Sequence, residues 1–280
     1  MTKDTNMPPG KCDLCGEEFS KTALQRHLAG HLSKKIPGGK AGESFYIRIT
    51  PDIGKNTLSP YFLYIWADGD TSFEELDYFL RDIWLECCEH LSGFNKKVSQ
   101  QKKQANRINF NLNMTRAELE KFWEEDELNG GEIAKDRLLK GFMKKGDEFN
   151  YCYDYGSSTD LLLTILDKLP IAADDFIMLL SRNEPPPLMC SDCRKKPAVK
   201  ICTACQWDEE ALFCSTCAKK HAKKCREAEW SLYSAANSPR MGVCGYEGGL
   251  IDVARDQPYK LPKKKSGTAN SKEATTGAAG

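Results

Sequence analysis

No stretch of this 280-residue chain approaches the roughly 20 consecutive apolar residues that a bilayer-crossing helix needs. Its first residues also lack the charged-then-apolar layout of a secretion signal. A membrane span is therefore not expected, and the compartment expected is the cytoplasm. Net charge is missing as well, because 40 Lys and Arg balance 40 Asp and Glu. The balance is local rather than uniform. Residues 41–185 carry 17 basic against 26 acidic side chains, whereas residues 1–40 carry 7 against 4 and residues 186–227 carry 9 against 5. An acidic centre excludes one continuous nucleic-acid groove there, so any nucleic-acid contact belongs at the ends or at a local patch. A phosphate loop is lacking too. "NSPRMGVCGYEG" (237–248) has Arg240 and glycines, but no Lys-Ser/Thr ending and no following helix, and it reads as a segment docking back on the body.

Cysteine, by contrast, is abundant. Thirteen cysteines, most of them in C-x-x-C pairs beside histidines and with no secretion signal, point to metal thiolates rather than disulfides. Near the start, "CDLCGEEFSKTALQRHLAGH" offers Cys12 and Cys15, then His27 and His31 one helical turn apart. A helix carrying both histidines points both rings to one side, and a tetrahedral zinc joins the two pairs. This is a C2H2-type ββα finger pattern, with Phe19 and Leu24 as its small core. Its Cys15–His27 gap holds 11 residues where 12 is usual, and the base-facing positions would be Ser20, Ala23 and Arg26, of which only Arg26 is a long donor. One finger reads about three base pairs, too few for selective binding. A protein contact or nonspecific nucleic-acid contact is the expected role.

A second cysteine segment supplies Cys190, Cys193, Cys202, Cys205, Cys214, Cys217, His221 and Cys225. Four successive pairs make two four-ligand sites, either sequential or cross-braced, with pairs one and three sharing one zinc and pairs two and four the other. The short gaps favour the cross-brace. The ligand order, the "FC" before the third pair and the closing His-x3-Cys resemble B-box and MYND-type zinc domains, although the gap between the third and fourth pairs is shorter than is usual for MYND. That resemblance implies protein contact more often than DNA contact. Lys219, Lys220, Lys223 and Lys224 read first as a solvated helix face. Closed four-ligand sites leave no position for a reactive water, so three structural zinc ions are expected and zinc catalysis is not.

Between these segments the pattern is α+β. "SFYIRIT" alternates as a half-buried strand and "YFLYIWA" (61–67) is apolar throughout, as a deeply buried strand would be. "DTSFEELDYFLRDIWLECCEHLSGF" opens with Ser72 and Glu75 at capping-box spacing and sets Phe73, Leu76, Phe79, Leu80, Ile83, Trp84 and Cys87 on one helical stripe. A lysine-rich loop then leads to a strand "INFNLN" (108–113). Thr115 and Glu118 open another capped helix, and "GEIAKDRLLKGFMKK" carries a helical face of Ile133, Leu138, Leu139, Phe142 and Met143. "EFNYCYDYG" and "TDLLLTILDK" form a hairpin in which Asp154 caps the turn, and "DDFIMLLSR" gives a last strand before "NEPPP". The organisation expected is a finger at 1–33, a flexible linker at 34–43, an α+β domain at 44–185, a two-zinc module with a cross-brace-like fold at 186–227, a docking tail at 228–262 and a disordered tail at 263–280.

"FLRDIWLECCEHLSGF", "GDEFNYCYDYGSSTDLLLTIL", "SRNEPP" and "NSPRMGVCGYEG" together resemble the plasmid pRiA4b Orf3-like family over about residues 44–250. The strand ending with Tyr151, Tyr153, Asp154, Tyr155 and Gly156 is the most specific part. The resemblance implies an α+β fold and carries no established activity; the finger lies outside it. For function, the first reading is a non-enzymatic zinc-binding adaptor or regulator contacting protein, nucleic acid or both. The alternative is an enzyme acting on nucleic acid in a mobile-element or defence setting, with a site near Cys88, His90 and Asp154. On a helix Cys88 and His90 diverge by about 200 degrees and would meet only where the helix end unwinds. A buried Cys87 and a helix-terminal His90 are therefore expected, with a metal site from Cys88, His90 and Cys152 as the lesser alternative.

Overall fold

A computed structural model of the chain describes residues 7–54, 59–98, 114–206 and 211–261. Its first elements are the cysteine hairpin, Gly10–Cys12 (β1) and Glu18–Phe19 (β2), and the histidine-bearing helix Lys21–Lys35 (α1), whose N-cap Ser20 accepts from the Ala23 N–H. The strands Ala41–Pro51 (β3) and Leu63–Asp68 (β4) follow. Helix Phe73–Leu80 (α2) begins at the Ser72/Glu75 capping box, which forms in full. After it come Ser92–Lys96 (β5), the helix Arg116–Leu128 (α3) on a second complete capping box at Thr115, Glu132–Ile133 (β6), the short helix Leu139–Phe142 (α4), Glu148–Tyr153 (β7), Thr159–Ile171 (β8) and Ile177–Asn183 (β9). Among the described residues, nine strands make one antiparallel sheet in the order β2-β1-β9-β4-β3-β8-β7-β5-β6, so the chain is mixed α+β.

Strand alternation decides what each face holds. Phe45, Ile47, Ile49, Leu63, Ile65 and Ala67 point to the side covered by α2, where they pack with Phe73, Leu76, Leu80, Ile83 and Trp84. Tyr46, Phe62, Tyr64 and Trp66 point to the other side and meet Leu24, Leu28 and Leu32 of α1. This explains the unbroken apolar run of "YFLYIWA": β4 is buried on both faces. It also changes the status of the N-terminal hairpin and helix. β1 pairs with β9 through Gly10↔Asn183, Lys11↔Arg182 and Cys12↔Ser181, and α1 is the cover of the sheet's second face. Residues 34–43, expected as a flexible linker, are instead the end of α1, a 3-10 turn at Ile36–Gly38 and the start of β3. The glycines there serve close approach: a Cβ on Gly39 would lie 2.7 Å from Ile171 Cγ2, and one on Gly42 would lie 2.9 Å from Ala172 Cβ.

Two expected helices are shortened. After α2 the chain makes one π turn, Arg81–Leu85, and then leaves helical geometry at Glu86. The Arg81 guanidinium holds this exit by donating to Asp77, Glu86, the His90 carbonyl and Ser92. The expected helical face over 131–145 is a β6 strand, a loop and the single turn of α4. Ile133 pairs with Phe94, and the loop carbonyls of Lys135 and Arg137 accept from the Glu74 and Phe73 N–H groups at the start of α2. The strand expected at 108–113 and the tail at 263–280 lie outside the described residues.

The second cysteine segment has its own sheet of three strands, Lys200–Cys202 (β10), Leu212–Phe213 (β11) and Leu232–Ser234 (β12), in the order β11-β10-β12, with helices Ser215–His221 (α5) and Ala228–Ser231 (α6). β12 lies beyond residue 227, so this unit extends further than its ligands. The following segment packs on the body. Ser238 Oγ donates to the Trp84 carbonyl at 2.6 Å, and the fully buried Arg182 donates to Asp256 at 2.5 Å and to the Asn237 carbonyl.

Candidate metal centres

Four groups of Cys and His side chains converge among the described residues, and within each group the potential ligand atoms all lie within 4.8 Å of one another. The first is Cys12, Cys15, His27 and His31. The turn after β1 brings the thiols together: Gly16 N–H donates to the Cys12 carbonyl at 2.7 Å and Gly16 takes φ 81°, a left-handed value that suits glycine. Cys15 Sγ is 3.3 Å from His27 Nε2, which is 3.0 Å from His31 Nε2. Phe19 stacks on His27 at 4.1 Å between centroids. Burial and then the neighbouring His27 push the His31 pKa down, which favours the neutral imidazole a metal requires.

The second segment divides its pairs in the interleaved way. Cys190, Cys193, Cys214 and Cys217 form one group, and Cys202, Cys205, His221 and Cys225 the other. Helix α5 enforces this partition. Cys214 is its N-cap and Cys217 sits in its first turns, while His221 ends it and Cys225 follows, so its two ends feed different clusters. Cys193 Sγ lies 3.9 Å from Cys214 Sγ; in the other group Cys205 Sγ lies 3.8 Å from His221 Nε2 and 3.9 Å from Cys225 Sγ. Phe213 stacks on His221 at 4.3 Å, repeating the Phe19–His27 contact. Burial would raise the Cys190 thiol, but N–H groups of Cys193, Cys214 and Asp192 outweigh it and hold the pKa down to about 6. Cys202 is likewise brought to about 6 against burial, chiefly by the Ser231 hydroxyl and His221. Thiolate, the ligating form, is thus favoured at Cys190 and Cys202, the buried first cysteines of these two groups, whereas burial pushes the Cys12 thiol up. The apolar core here consists largely of the ligands themselves, with Ala211, Phe213 and Ala218.

The fourth group is Cys87, Cys88, His90 and Cys244. Here the helix end has unwound, with Glu89 at φ 56°, so Cys88 and His90 are not held apart by a helix. Cys244 reaches them from the docked tail: its Sγ is 3.2 Å from His90 Nε2 and 3.9 Å from Cys88 Sγ. Cys152, the third ligand considered from sequence, is not in the group; it faces Asp160 instead. The only sequence sign of this group was the Cys-Cys-x-His run, and its last member lies more than 150 residues away, with nothing nearby to pair it.

Asp154 caps the β7–β8 turn as expected. It adopts φ 65°, and its Oδ1 accepts from the Gly156 N–H at 3.0 Å and the Ser157 N–H at 3.2 Å. Its Oδ2 accepts from Arg240 at 2.7 Å, and that guanidinium, helped by the two N–H groups against burial, holds the carboxyl down to about 2. His90 Nε2 is 3.7 Å from Asp154 Oδ2, beyond hydrogen-bonding reach. A carboxylate so engaged is a poor proton acceptor near neutral pH.

No family model matches the chain, and no curated protein does. Among solved structures, a protein of unknown function from Methanosarcina mazei is similar with a TM-score of 0.33 and 12% identity, over 50% of this chain and 68% of that one. A likeness at that level carries no argument, and the resemblance to the plasmid pRiA4b Orf3-like family gains no support from these comparisons.

Proposed function

We propose that the chain is a zinc-binding adaptor or regulator whose metal modules contact a protein partner, with nucleic acid as a secondary and nonspecific ligand. The observation that carries this reading is the closure of the clusters. Each metal group at the two termini already supplies four Cys or His ligands, which fills a tetrahedral zinc and leaves no position for substrate or reactive water. Sulfur and imidazole donors in fours suit zinc better than oxygen-loving cations. In the interleaved module, of the B-box or MYND kind, Trp230 is 63% exposed, and Lys219 and Lys220 of α5 are exposed as well. A large exposed aromatic is the kind of side chain that anchors protein contacts.

The N-terminal pair of elements supports the same reading. Leu24, Leu28 and Leu32 commit one face of α1 to the sheet, and the outward positions Ser20, Ala23 and Arg26 offer one long donor. The enzyme reading has less behind it, because Asp154 is spent on Arg240 and on its own turn.

A pull-down with the full chain, with and without nuclease, tests the proposal. The expected result is a partner retained after nuclease and reduced at least several-fold by Trp230→Ala. Capture abolished by nuclease, or tight sequence-selective DNA binding that Arg26→Ala removes, would overturn it.

A further inference from the structure

We propose that Cys87, Cys88, His90 and Cys244 form a fourth zinc site, a closed three-cysteine, one-histidine centre that pins the tail segment carrying Cys244 to the unwound end of α2. The adaptor reading stands on the terminal clusters alone, so this site goes beyond it.

Geometry is the first argument. Zn–S bonds of about 2.3 Å and Zn–N bonds of about 2.0–2.1 Å in a tetrahedron place two sulfurs about 3.8 Å apart, and a sulfur and a nitrogen about 3.6 Å apart. The Cys88–Cys244 and His90–Cys244 separations of 3.9 Å and 3.2 Å bracket those values. The sulfur spacing equals that of Cys193–Cys214 and Cys205–Cys225 in the two interleaved groups. A disulfide would need its sulfurs about 2.05 Å apart and would leave the other two groups unexplained.

Charge is the second argument. Three thiolates and a neutral imidazole around Zn2+ leave one net negative charge once the three thiol protons have gone to solvent. A guanidinium shared with Asp154 is already directed at one of the three sulfurs. Arg240 is fully buried, stacks over the Tyr153 ring at 4.7 Å and directs Nη2 at Cys87 Sγ from 3.5 Å. Its other contacts, to Asp154, the Ser157 carbonyl and Thr159, fix its orientation. The Tyr153 hydroxyl also lies 3.9 Å from Cys87 Sγ. Hydrogen-bonding partners that orient the ligands are the usual surroundings of a metal centre.

Backbone cost is the third argument. Glu89 at φ 56° and Cys244 at φ 49° are non-glycine residues in the left-handed region, which costs each of them backbone strain. Both turns aim ligands at one point, and metal bonds offset the strain. The site then joins the tail to the π turn that follows α2, where the Leu250 N–H donates to the Asp82 carbonyl at 2.6 Å.

The test is metal counting on the full chain, purified under reducing conditions with zinc, by elemental analysis and native mass spectrometry. Four ions are expected in the parent and in Cys152→Ser. Three are expected in Cys244→Ser and in Cys88→Ser, together with faster amide exchange across residues 237–250. Circular dichroism checks that each variant is folded. Should both variants fail to fold, cobalt titration of the parent decides, since four equivalents of tetrahedral thiolate cobalt support the site and three refute it. Three ions in the parent, four in the folded Cys244→Ser variant, or a Cys88–Cys244 disulfide in place of a metal would each overturn the proposal.

Discussion

The two terminal cysteine regions use the same chemistry and depend on it differently. In the N-terminal region β1 is hydrogen-bonded to β9, and Leu24, Leu28 and Leu32 are buried against Tyr46, Phe62, Tyr64 and Trp66. Burying each leucine contributes roughly 1.5–3 kcal/mol without any metal. In the module after residue 186 the small core is made mainly of the ligand cysteines, and its sheet has strands of two or three residues. Remove the metal there, and four thiols in one cluster and three thiols with an imidazole in the other are left packed against little else. A metal cluster fused to a sheet becomes an addition to a fold, whereas a cluster surrounded by short loops is the fold.

Chelation should expose that difference most strongly. Apparent binding energies of structural zinc are about 10–16 kcal/mol, so stripping metal should unfold the C-terminal module outright. Amide exchange by mass spectrometry should show protection lost over 188–206 and 211–234 and kept over 21–35, 45–51 and 63–68. Equal loss in both regions would break the comparison. Next in size is Asp77→Ala in the sheet domain. Its buried carboxylate accepts from Ser92 and Tyr151 at one oxygen and from Arg81 and Lys135 at the other. Removing it takes the acceptor from the buried Tyr151 hydroxyl and the shared carboxylate from Arg81 and Lys135, at a cost of about 3–5 kcal/mol. Leu28→Ala should cost about 2–5 kcal/mol. Both losses should appear in denaturant midpoints of the sheet domain even in chelator, because neither works through metal.

How much of this was legible in the sequence follows the range of the interactions. Ligand spacing is local, so the finger-like quartet and the four C-terminal pairs could be read directly, and the preference for interleaving followed from short gaps. Capping boxes at Ser72 and Thr115 and the Asp154 turn are local too, and all three form. What could not be read depends on distant partners. Gly39 and Gly42 suggest flexibility by composition, yet each marks where the chain passes close to β8 or its end. The end of α2 is set by Arg81 reaching Ser92 and the His90 carbonyl, a tertiary override of an intact helical stripe. The Cys87 cluster was hidden by that same misreading, since a continued helix would have separated Cys88 from His90.

Acid should separate the regions in the same order. Protons compete with metal for thiolate and imidazole, so the C-terminal module should open first as pH falls below neutrality. The sheet domain should hold to lower pH. Burial acts to raise the Asp77 carboxyl, but Ser92, Lys135, Tyr151 and Arg81 together bring it below its ordinary value. A depressed carboxyl contributes stability that is fully present above its unfolded pKa of about 3.9 and is lost as pH drops through the folded value. Near-UV dichroism of the sheet domain should therefore survive to about pH 4, and Asp77→Asn should remove the acid-dependent part of the loss.

The smallest effect expected is that of Cys15→Ser. It deletes one ligand of the N-terminal cluster, and with zinc present it should lower the unfolding midpoint, because a ligand that binds only the folded state stabilises it by mass action. In chelator that linkage vanishes, so parent and variant should unfold within about 0.5 kcal/mol of each other, the scatter of an ordinary surface change. Helix α1 should keep its amide protection in both, since its contacts with the sheet are leucine and tyrosine rather than metal: Tyr46 donates to the Gln25 carbonyl at 3.1 Å and Tyr64 to the Lys21 carbonyl at 3.3 Å. If α1 instead loses protection in the variant, its burial against β4 is too weak to hold it, and the two cysteine regions are alike in needing metal to fold.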